Sequence, residues 1–105
     1  RRKRYRDMLV EKAHEIQLLL DYHDTGDRMP VITYCVQQQR KLMAYIIKTF
    51  HVGEGKAHDI ASEAIETICQ HLTSGEHSIV EIMPTLRGYA RSIISKRRKL
   101  LNIEH

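Results

Sequence analysis

Apolar positions recur at intervals of three and four along most of the chain, and that spacing predicts helices rather than strands. A first helix is expected over about residues 5–22. Tyr5, Met8, Leu9, Ala13, Ile16, Leu19 and Leu20 form its inner stripe. The polar run His23-Asp24-Thr25-Gly26-Asp27 ends it, because Gly tolerates the left-handed geometry of a helix terminus. A second helix is expected from Met29-Pro30 to about residue 50, since Pro suits a first turn whose N–H has no partner. Its inner stripe reads Ile32, Cys35, Leu42, Ile46 and Phe50, widened by Met43 and Ile47, until Gly53 and Gly55 break the pattern.

The third helix, about residues 56–72, has the clearest periodicity. Ile60, Ala61, Ala64, Ile65, Ile68, Cys69 and Leu72 face inward, and Asp59, Ser62, Glu63, Glu66 and Gln70 face out. Thr73-Ser74-Gly75 closes it. Ser78-Ile79-Val80-Glu81 then reads as a capping box, in which hydroxyl and carboxylate each satisfy a free backbone N–H. Pro84 lies too deep for that helix to continue, so the expectation is a short helical turn, a break at Met83-Pro84, and a last helix over about residues 85–101. Leu86, Tyr89, Ala90, Ile93, Ile94, Arg97 and Leu101 trace its inner side, with the Arg97 head turned outward. The fold class is therefore all-α, a compact bundle of about four helices in a single domain spanning residues 1–105, preceded by a basic tail at 1–6.

Composition narrows the setting. No apolar run approaches the ~20 residues that a membrane span requires, so no membrane partner is expected. The Arg1-Arg2-Lys3-Arg4 run leads into an amphipathic segment rather than the apolar core of a signal peptide. With Arg rather than Met at position 1, the chain reads as an excised or trimmed piece of a longer one. Cys35 and Cys69 fall on inner faces, open to a disulfide but read in preference as two reduced core thiols, which fits a cytoplasmic location.

Eleven of the 17 Lys and Arg residues lie in the end stretches 1–6 and 87–99, while 12 of the 13 Asp and Glu residues fall between those stretches. On the last helix Arg87, Arg91 and Arg98 share a face, with Lys96 and Lys99 beside them and no acid between Thr85 and Ile103. Such a surface suits successive phosphates. Complementing the helix dipole accounts for the charges at the end of that helix but not for Arg87 and Arg91 near its start. On the third helix Asp59, Glu63 and Glu66 line one exposed stripe beside Ser62, a docking surface for protein or a solvated face. A divalent metal would need ligands from a second element, and none of the seven histidines forms the paired spacing of a zinc helix. Gly53-Glu54-Gly55-Lys56 is too short for a phosphate loop, and no Ser or Cys carries a nucleophile signature. Neither catalysis nor a cofactor is expected.

Residues 42–100 resemble region two of bacterial sigma factors, especially the extracytoplasmic-function type. The resemblance rests on Ala57-His58-Asp59-Ile60-Ala61-Ser62-Glu63-Ala64, followed by a break, then Leu86-Arg87-Gly88-Tyr89-Ala90-Arg91-Ser92-Ile93 and Lys96-Arg97-Arg98-Lys99. It implies a transcription-associated domain whose Asp59, Ser62, Glu63 and Glu66 dock on core RNA polymerase. Arg87, Arg91, Lys96, Arg98 and Lys99 would then contact DNA, and an anti-sigma-like protein is a further candidate partner. The chain departs from the family in its promoter-melting segment, where several aromatics are usual and Tyr89 stands alone between Gly75 and His105. Two other readings share the same residues: a helical DNA-binding regulator independent of polymerase, and a sigma-mimicking protein-binding adaptor.

Overall fold

The computed structural model describes the backbone of residues 2–74 and 79–104 and the side chains of 3–74 and 79–100. It is all-helical: α1 (Arg2–Thr25), α2 (Met29–Gln37), α3 (Gln39–Phe50), α4 (Glu54–Thr73) and α5 (Met83–Glu104). The molecule is a slab, with principal extents of 49 × 39 × 20 Å.

The core lies where α2, α3, α4 and α5 meet. α4 supplies the largest share, burying Ala57, Ile60, Ala61, Ala64, Ile65, Ile68 and Leu72, with Cys69 half-buried. Its three small alanines let the neighbouring helices approach closely. Leu42 and Ile46 of α3 and Leu86, Ala90 and Ile94 of α5 close over it, as their spacing predicts. The Leu101 side chain and Ser78 lie outside the described residues.

Four features differ from the expectation. The second helix divides at Gln38, whose N–H is shared between the carbonyls of Tyr34 and Cys35, both at 3.1 Å. The ladder tightens there for one residue and resumes when Leu42 N–H bonds the Gln38 carbonyl at 3.0 Å. Val31 and Tyr34 are buried on α2, whereas Ile32 is only half-buried. The end of α3 is set by His51 in the left-handed conformation (φ 55°, ψ 41°), not by a glycine, and Gly53 becomes the residue preceding α4. The basic segment at 1–6 is helical from Arg2 onward.

The larger corrections concern α1 and the start of α5. Tyr5, Met8, Leu9, Ala13, Ile16 and Leu20 are exposed, not buried. The side of α1 turned inward carries Glu15, Leu18, Leu19 and Tyr22. Two polar side chains account for this rotation. Tyr22 donates its hydroxyl to the Leu72 carbonyl at 2.6 Å, satisfying an acceptor at the end of α4. Glu15, only 7% exposed, accepts the N–H groups of Ile82 (2.7 Å) and Met83 (3.3 Å) on one oxygen and the Tyr34 hydroxyl (2.9 Å) on the other.

Glu15 thus caps α5 from another helix. No helical turn occurs over 79–82, and Glu81 is exposed. Pro84 is the second residue of α5, so it starts that helix instead of breaking one. The first intrahelical bond, Leu86 N–H to the Ile82 carbonyl at 2.9 Å, does not need the missing proline N–H.

Removing the buried acceptor orphans the Ile82 N–H and the Tyr34 hydroxyl. Hydrogen bonds to a charged group contribute about 1.5–3 kcal/mol each, and stranded donors add desolvation cost. Glu15→Ala is expected to lower the unfolding free energy by about 2–4 kcal/mol, measured by urea denaturation. Glu15→Gln, which keeps an acceptor oxygen, should cost about half as much. A loss below about 0.5 kcal/mol for Glu15→Ala would remove Glu15 from this role.

Candidate nucleic-acid and protein interface

The basic residues of α5 divide into two sides. At about 100° per residue, Arg87, Arg91 and Arg98 fall on one flank, and Lys96 and Lys99 turn round the opposite side. Arg91, Lys96, Arg98 and Lys99 are exposed, and Arg87 is half-buried.

Arg87 and Arg91 meet at a residue that periodicity alone did not single out, Tyr45 of α3. The Arg87 guanidinium lies 5.8 Å from the Tyr45 ring centroid, and Arg91 Nη2 donates to the Tyr45 hydroxyl at 3.1 Å. Phe50 supports the same ring edge-on, with centroids 6.1 Å apart. Positive charge near a helix start opposes the helix dipole. The electron-rich face of Tyr45 offsets part of that cost at Arg87. Tyr45 sits next to Ile46 in the sequence and packs, half-buried, against the edge of the core. Only the crossing of α3 and α5 brings it to two arginines.

The acidic stripe lies on the outer face of α4. Asp59, Glu63 and Glu66 are exposed, while Ser62 is half-buried and accepts a hydrogen bond from Gln39 Nε2 at 3.1 Å. His58 Nδ1 is 4.0 Å from Asp59. Glu63 is not a free carboxylate: Arg97 Nη2 donates to it at 2.9 Å, with both side chains about half exposed. The Arg97 head is turned outward as expected and ties the acidic helix to the basic one. In water-exposed geometry such a pair contributes at most about 1 kcal/mol. Among the described residues, no group of three or more His, Cys, Asp or Glu side chains converges as a metal site would require.

No described helix is long and apolar enough to cross a membrane. Cys35 and Cys69 are both free thiols, the first buried and the second half-buried. Burial pushes the Cys35 thiol up to about 12, with the nearby Cys69 and Glu15 adding to the shift. Cys69 is also raised by burial, against an opposing pull from Arg28. Burial raises the Tyr34 phenol as well, reinforced by its hydrogen bond to Glu15.

No family model, curated protein or solved structure matches this chain.

The thiol shifts fix a pH dependence. A thiol whose folded pKa lies above its ordinary value of 9.0 stabilises the fold fully below that value, and the contribution disappears as pH rises through the folded pKa. The urea midpoint is therefore expected to hold through neutral pH and fall between about 9 and about 12. In the native protein at mildly alkaline pH, a thiol reagent should modify Cys69 before Cys35, with Cys35 reacting only as the fold opens. Equal labelling rates, followed by mass spectrometry, would contradict this order.

Proposed function

We propose that this chain is a sigma-region-two-like domain that docks on core RNA polymerase through α4 and contacts DNA through α5, with no chemistry of its own. The observation that supports this reading best is the pairing of opposite surfaces on adjacent helices. Asp59, Glu63 and Glu66 stand outward on α4, and Arg87, Arg91, Lys96, Arg98 and Lys99 belong to α5. In this reading the carboxylates meet a basic surface of polymerase, and the basic helix follows the phosphate backbone.

The aromatic group nearest the basic flank is Tyr45, contributed by α3. It joins Arg87 and Arg91 as part of the proposed DNA surface, where it would hold the two guanidinium groups in place for phosphate contact. A second reading, a DNA-binding regulator independent of polymerase, draws support from the Glu63–Arg97 pair. That pair neutralises the middle of the acidic stripe.

Equilibrium binding to purified bacterial core polymerase separates the two. Asp59→Lys with Glu63→Lys should weaken binding at least about tenfold, which corresponds to about 1.4 kcal/mol. Arg97→Ala breaks the same ion pair without reversing the stripe and should leave that affinity nearly intact. Binding that ignores the double reversal, or no binding by the unaltered chain, would defeat the polymerase reading.

For DNA, Arg87→Ala with Arg91→Ala should weaken binding and flatten the dependence of log K on log salt. The expected change in slope on duplex DNA is about 1.8, from about 0.9 for each phosphate that is no longer neutralised. An unchanged salt slope would show that α5 does not carry the contact.

A further inference from the structure

The exposed side of α1 is the largest feature that the proposed function leaves unused. Tyr5, Leu9, Ile16 and Leu20 stand about half exposed or more, at spacings of four, seven and four, so they run in one line down the helix. The line lies roughly 130° round α1 from the side that carries Glu15, Leu18 and Tyr22 inward, by the helical period. Met8 and Val10 flank it. Val80, also exposed, continues the apolar surface across a groove lined by Ile16, Leu19, Leu20, Tyr22 and Leu72. Isolated exposed apolar side chains are ordinary; an aligned row of four is not.

Charge identifies what covers it. Lys3, Arg4 and Arg6 crowd the start of α1, whereas Asp21 and Asp24 lie near its end and Asp27 just beyond. No Lys or Arg occurs between Ala13 and Asp27. Both ends therefore oppose the helix dipole, with cations at its positive end and anions at its negative end. A helix of the same sequence laid antiparallel would place acid beside the basic end and base beside the acidic end.

We infer that α1 is a self-association surface, pairing antiparallel with α1 of a second copy of this chain about a two-fold axis. One register satisfies the whole row. Tyr5 faces the partner's Leu20, Leu9 faces the partner's Ile16, and the axis passes between Lys12 and Ala13. The small Ala13 side chain lets the helices approach at the crossing. Arg6 and the partner's Asp24 then fall on the same flank of the seam, about 7.5 Å apart along the helix axis. A parallel pair would set base on base and acid on acid. Nucleic acid suits neither the apolar row nor the three aspartates. The inference rests on α1 alone and is independent of the polymerase reading.

The seam is short: 24 residues of helix span about 36 Å at 1.5 Å per residue. Such an interface falls at the small end of specific contacts, so the dimer is reversible and concentration-dependent.

Sedimentation equilibrium from low micromolar to near-millimolar protein should show a shift from monomer to dimer. Leu9→Glu with Ile16→Glu should abolish the shift while leaving the helical circular dichroism and the melting curve of the dilute monomer unchanged, because both positions are about half exposed. A chain carrying Lys3→Glu, Arg4→Glu and Arg6→Glu, and another carrying Asp21→Lys and Asp24→Lys, should each stay monomeric alone and associate when mixed. Orientation is read by mixing Tyr5→Cys and Leu20→Cys chains, each in a Cys69→Ser background. Mild oxidation should link the mixed pair and not Tyr5→Cys with itself. A chain that remains monomeric throughout, a dimer that survives the Leu9 and Ile16 substitutions, charge-swapped chains that do not associate, or linkage of Tyr5→Cys with itself would each overturn the inference.

Discussion

A single buried carboxylate fixes the relation between the first helix and the last. Glu15 holds the opening N–H groups of α5 with one oxygen and the Tyr34 hydroxyl of α2 with the other. The two consecutive helices α1 and α2 and the distant α5 therefore share one carboxylate, placed where the positive end of a helix dipole favours it. A buried charge is tolerable only with its hydrogen-bonding capacity used, and here both oxygens are engaged. The rotation of α1 follows directly. Once Glu15 and Tyr22 face inward, the apolar row from Tyr5 to Leu20 must face out.

The legible parts of the chain were those whose burial is decided locally. In α4 nearly every third or fourth residue is small or aliphatic, and one face only is apolar, so period and orientation coincide. α5 behaves the same way from Leu86 to Ile94. α1 is different because it has apolar residues enough for two faces. Periodicity groups Leu9 with Ile16, but it cannot say whether their face or that of Leu18 and Tyr22 meets the core. That choice is made by partners 19 and 67 residues from Glu15. Pro84 misled for a related reason. The local Ser78-to-Glu81 pattern reads as a cap, while the cap found at Ile82 and Met83 comes from another helix.

The candidate surfaces divide along the same line. Residue type and helical spacing placed Asp59, Glu63 and Glu66 outward on α4 and most of the basic residues outward on α5, where the structure also has them. Spacing could not reveal the bond from Arg97 to Glu63 or the gathering of Arg87 and Arg91 at Tyr45. Both depend on which helices cross. They change the character of the surface, since part of the acidic stripe is already neutralised and part of the basic flank already leans on an aromatic ring.

The slab shape sets how this molecule comes apart. A short dimension of 20 Å leaves room for about two helix diameters. Each helix that covers the core is thus half of its local thickness, with no deeper layer beneath to shelter Ile68 or Leu86 if it lifts away. Peeling α5 from α4 would wet both partners at once. A structure this thin has little room for stable half-folded forms, so its helices hold together or release together.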